Sequence, residues 1–114
     1  MRIKFPKKII IGDVEFLIKT DPKRVGGEFN FWNEDSKTKK PKMGDMIIGT
    51  KLLEACPIRV LSTIIHELKE AIQEVQCVRY QRPDSRESYE FHYTHKEHDD
   101  LCSRLAGLLS QFIV

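Results

Sequence analysis

The stretch Val60–Val78 constrains this chain more than any other. At about 100° per residue, Leu61, Ile64, Ile65, Leu68, Ile72 and Val75 gather on one side of a helix, while His66, Glu70, Gln73 and Cys77 fall on the other. A helix with one apolar stripe must bury that stripe against another layer. Pro57 stands where such a helix can begin, because its missing N–H costs little in the first turn.

The sequence upstream offers the other layer. Ile3–Phe5 and Ile9–Ile11 precede Gly12-Asp13, and Val14–Lys19 follows, which is the signature of a hairpin. Asp21-Pro22 marks a break. Gly26-Gly27 opens Glu28–Trp32, where polar and aromatic residues alternate as a half-buried strand requires. Asn33–Lys42 reads as a loop or hairpin tip, and Met46–Thr50 as a short buried or edge strand. Downstream, Arg79–Glu90 is polar, contains Pro83 and reads as a connecting loop. A last helix is predicted from Thr94, with Glu97 three residues on as in a capping box. Its apolar face is Leu101, Leu105, Leu108, Leu109 and Phe112.

A chain of 114 residues fits a single domain over residues 1–114. The expected class is α+β: a short N-terminal antiparallel sheet, a central helix and a C-terminal closing helix. A net charge of +2 gives no electrostatic case for nucleic acid or an anionic membrane. Lys37, Lys39, Lys40 and Lys42 read first as a solvated turn. No segment approaches the roughly 20 apolar residues of a membrane span. The three cysteines, Cys56, Cys77 and Cys102, form no C-x-x-C pair and read as buried reduced thiols, which places the protein in the cytoplasm.

Chemistry is concentrated on the central helix. His66 and Glu70 share a face at i and i+4, a spacing that can put an imidazole and a carboxylate on one ion. Catalytic zinc takes three protein ligands and keeps a fourth position open. The last helix offers His95, His98 and Asp99, about 30 residues downstream. Two helices packed through their apolar faces can bring such groups together at the seam's edge. Glu67 need not bind the ion; an ionised carboxylate beside it suits a general base. The plainer reading is an exposed charged face, since Lys69 and Glu74 belong to the same turns. His92 reads as a solvated loop residue, and His98 as a histidine at the edge of the core.

The run Leu61–Ile72, with His66-Glu67-x-x-Glu70 inside it, resembles the active-site helix of small zincin-like metallopeptidases, especially compact forms carried by phages and mobile elements. The order of sheet, metal helix and closing helix is similar too. The resemblance implies a zinc ion (Zn2+) held by His66 and Glu70, a third ligand from His95 or Asp99 with His98 as rival, and Glu67 as catalytic base. It departs from the family at Glu70, where the His-Glu-x-x-His pattern has a histidine. The expected function is therefore a metal-dependent hydrolase acting on a peptide or protein. The alternatives are a catalytically inactive interaction module of the same fold, and a nucleic-acid accessory protein using Lys37–Lys42 and Arg79–Arg86.

Overall fold

The computed structural model describes residues 2–34, 41–75, 79–81, 89–91 and 95–114. Strands β1 (Lys8–Ile11), β2 (Val14–Asp21), β3 (Gly27–Glu34) and β4 (Pro41–Gly49) come first, followed by helix α1 (Pro57–Val75). Two short strands, β5 (Arg79–Gln81) and β6 (Tyr89–Phe91), precede helix α2 (His95–Leu109) and a 3-10 turn over Ser110–Phe112. The class is α+β, as the patterning predicts.

The sheet is mixed rather than antiparallel, with strand order β1-β2-β4-β3. The β1–β2 hairpin turns at Gly12, whose φ of 61° suits a residue without a Cβ. After β2, Asp21 accepts the Lys23 N–H at 2.9 Å and turns the chain out to the sheet's edge. There β3 leaves a gap, which β4 fills by running antiparallel to β3 and parallel to β2. The segment around Met46–Gly49 is thus the inner strand between β2 and β3, not an edge, and Met46 and Ile48 are fully buried. Pairing of β3 with β4 extends to Glu34 and Pro41, into the expected loop. Part of the expected Arg79–Glu90 loop is likewise the β5–β6 ladder, Arg79 opposite Phe91. Lys37, Lys39, Lys40, Cys77, His92 and Thr94 lie outside the described residues.

Alternation along the strands sends Ile9, Ile11, Val14, Phe16, Met46 and Ile48 to one face of the sheet, against Val60, Ile64, Leu68, Ala71 and Ile72 of α1. Each such large aliphatic side chain contributes about 1.5–3 kcal/mol on burial. Leu101 and Leu108 of α2 and the buried Phe112 complete the core. The chain ends meet where Ile3 pairs with Ile113 and the Lys4 N–H donates to the Phe112 carbonyl at 2.8 Å.

Three expectations about exposure change. Gln73, assigned by periodicity to the side away from the core, is 1% exposed, and its amide N and O have no hydrogen-bond partner among the described residues. Leu61 and Ile65, counted on the core face, are half-buried. Cys56 is half-buried and Cys102 exposed, both as free thiols, so burial does not account for them. Among the described residues no helix is long and apolar enough to cross a membrane.

Candidate metal centre

The flank of α1 that leaves the core turns toward β3, the edge strand. There His66 and Glu70, one helical turn apart, bring Nε2 and Oε2 to 3.4 Å. Glu67 lies between this pair and the sheet and is 5% exposed. Donor atoms of His66, Glu67 and Glu70 all fall within 4.8 Å of one another. They adjoin a cleft of about 360 Å³ whose walls are Gly26, Gly27, Ser62 and Thr63, with His66 and Glu67 beside them.

Gly27 sets how deep Glu67 sits. A Cβ on Gly27 would stand 2.7 Å from the Ile47 carbonyl oxygen and 3.1 Å from both Glu67 Cγ and Thr63 Cγ2. Without that Cβ the edge strand lies directly on the helix and shields the Glu67 stem from water. Among the described residues no hydrogen-bond donor reaches the Glu67 carboxylate. Burial therefore raises its pKa above the usual carboxylate range; the nearby His66 opposes the rise and Glu70 adds to it. At the rim, Arg24 donates through Nη1 to Glu28 at 2.8 Å and through Nη2 to the Gly27 carbonyl at 3.2 Å. That hydrogen bond and the guanidinium charge hold the Glu28 carboxyl below its usual range.

One imidazole and two carboxylates are a donor set that divalent zinc accepts, and carboxylate oxygens also suit harder ions such as manganese. Two ligands on one zinc ion at about 2.1 Å each stand no more than about 4.2 Å apart. The His66–Glu70 separation of 3.4 Å meets that limit. Glu67 supplies a further carboxylate on the cleft, without a hydrogen-bond donor among the described residues. The residues fit the ion.

No protein-family model matches the chain, and no curated protein or solved structure matches it.

Of the side chains proposed from the sequence, the structure brings together His66, Glu67 and Glu70. It does not bring the α2 residues into that group. His95 Nε2 faces Asp99 Oδ2 at 3.5 Å on the surface of α2, with 91% and 65% of the two side chains exposed. His98 Nε2 lies 3.8 Å from Cys102 Sγ, also exposed. α1 and α2 pack on each other with Leu101 and Leu108 in the shared core, while residues 95–100 at the start of α2 are exposed. Sequence reasoning missed Gly27, Thr63 and Arg24 as parts of the site. The signal for the first was the Gly26-Gly27 pair at the start of an edge strand, where a close backbone approach is a standard reason for glycine.

Proposed function

We propose that the chain is a small metal-dependent hydrolase of peptidase type, with its centre on α1. The observation that carries this reading is Glu67: a side chain 5% exposed that lines an open cleft, with no hydrogen-bond donor on its carboxylate among the described residues, beside a His–Glu pair already at ligand spacing. A charged face serving only solubility would leave its carboxylates in water, as Glu54 and Glu97 are.

In this reading His66 Nε2 and a Glu70 oxygen hold a zinc ion, and a third donor from His95 or Asp99 requires the start of α2 to move onto α1, not only that pair to separate. Bound there, the ion supplies Lewis acidity. Glu67 accepts a proton at its carboxylate oxygen, a role favoured by its raised affinity for protons, and can return it to a departing amine. The Gly26–Gly27 backbone forms one wall of the cleft and α1 the other, leaving an open trough for an extended peptide. Glu70 in place of histidine adds negative charge next to the ion and weakens its pull on electrons. The expected rate is thus lower than a two-histidine site would give.

The test is to measure zinc content and peptide hydrolysis for the wild type and for Glu67→Gln. Full metal content with lost hydrolysis supports the assignment. Zinc binding with no hydrolysis in either protein favours the inactive interaction module, and absence of zinc refutes the metal centre.

A further inference from the structure

We propose that Arg24 is a positioning residue for Glu67, acting through the backbone of Gly27. The proposal rests on the reading of Glu67 as the functional carboxylate; its geometry does not depend on whether a metal binds.

Among the described residues no hydrogen-bond donor reaches Glu67; the charges of His66 and Arg24 act on its carboxylate, and packing holds its stem. The wall it packs against is Gly27, where even a methyl group would stand 3.1 Å from Glu67 Cγ. The position of Gly27 therefore sets the position of Glu67, and the question becomes what holds Gly27.

On one side the sheet does. The Gly26 carbonyl accepts from the Gly49 N–H at 2.7 Å, so Gly26 turns its backbone toward β4. Strand alternation then points the Gly27 carbonyl the other way, to the open side of the edge strand. An edge carbonyl of this kind ordinarily faces water or a stray strand. Here Arg24 Nη2 donates to it at 3.2 Å, while Nη1 of the same guanidinium holds Glu28 at 2.8 Å. The fork spans the Gly27–Glu28 link as a rigid planar group.

Arg24 is itself anchored. Its N–H donates to the Asp21 carbonyl at 3.2 Å, and its carbonyl accepts from the Lys51 N–H at 3.1 Å. A continuous set of contacts thus runs from the Asp21–Lys51 corner through the guanidinium to Gly27 and then to the Glu67 stem. Reacting groups tolerate little error: about 1 Å of misplacement can cost on the order of 100-fold in rate. A clamp on the wall behind a catalytic carboxylate is worth keeping for that reason.

The experiment reads the shelter of Glu67 directly, in the metal-free full-length chain. A water-soluble carbodiimide with glycinamide labels carboxyl groups, and peptide mass spectrometry gives the rate at each site. In the wild type Glu67 should label several-fold more slowly than the exposed Glu54. Arg24→Ala should raise the Glu67 rate several-fold and leave Glu54 unchanged. Guanidinium ion, well below denaturing concentration, should return it toward the wild-type rate. Glu28→Gln, which keeps the Arg24–Gly27 hydrogen bond, should leave Glu67 slow.

An unchanged Glu67 rate in folded Arg24→Ala overturns the proposal, as does a rise that guanidinium does not reverse. Should Arg24→Ala fail to fold, Arg24→Met carries the comparison: it keeps an unbranched stem but offers the Gly27 carbonyl no donor, so a Glu67 rate equal to wild type overturns it equally. The metal reading fails separately, by an absence of bound zinc in the unlabelled protein.

Discussion

Gly27 of the edge strand and Glu67 of the long helix touch with no space for a side chain between them. A Cβ at Gly27 would stand 3.1 Å from Glu67 Cγ and 2.7 Å from the Ile47 carbonyl oxygen. Sheet and candidate site are thereby one piece of packing. The consequence is a test by overpacking. Gly27→Ala should destabilise the protein by about 1–3 kcal/mol, measured by urea unfolding. Adding Glu67→Ala should recover the part due to Cγ and leave the part due to the Ile47 carbonyl. Simple additivity of the two changes would show that the contact carries no energy.

The burial of Glu67 also predicts a dependence on pH. Its folded pKa lies above the ordinary value of 4.5, chiefly through desolvation. Between the two values the folded protein holds a proton that the unfolded chain has released. Stability from this group is therefore present at low pH, falls as pH rises through the window, and is constant above the folded pKa. Glu67→Gln removes that slope. Subtracting the unfolding free energies of the two proteins from pH 4 to pH 8 should show the mutant gaining on the wild type as pH rises. A flat difference would contradict the assignment of Glu67 as a desolvated carboxylate.

The two layers of the core should respond unequally. Ile64 and Leu68 of α1 are fully buried between sheet and helices, whereas Leu108 of α2 keeps 9% exposure. Ile64→Ala or Leu68→Ala should cost about 2–5 kcal/mol, with Leu108→Ala at or below the low end of that range. Urea midpoints at constant m-value check the ranking.

Much of the fold was legible because its signals are local. Gly12-Asp13 between β-rich runs gave the first hairpin, and Pro57 with the spacing of Ile64, Leu68 and Ile72 gave α1. Insertion of β4 between β2 and β3 was not legible: a strand's own residues do not say which neighbour it takes. Met46 and Ile48 read equally well as inner or edge positions. In the site, the His66–Glu70 pair follows from helical spacing alone. The burial of Glu67 depends on a glycine forty positions earlier, and that of Gln73 on packing outside the apolar stripe. A helical projection registers only the stripe. The meeting of His95 and Asp99 with α1 was inferred from helices packing through leucine faces, but that contact does not fix where the first turn of α2 points.

Metal affinity should follow the same geometry. His66→Ala and Glu70→Ala remove groups already at ligand spacing and should lower zinc affinity most. His95→Ala and Asp99→Asn alter a pair exposed on α2 and should lower it less. Isothermal titration of the four variants gives the order; a larger loss from the α2 variants would move the centre of the site to that helix.

The most direct test of the central claim is the zinc stoichiometry of the purified chain after reconstitution at neutral pH. The metal centre on α1 predicts about one tightly held ion per chain in the wild type, and its loss in folded His66→Ala. No zinc retained by the wild type, or equal retention by His66→Ala, would contradict it.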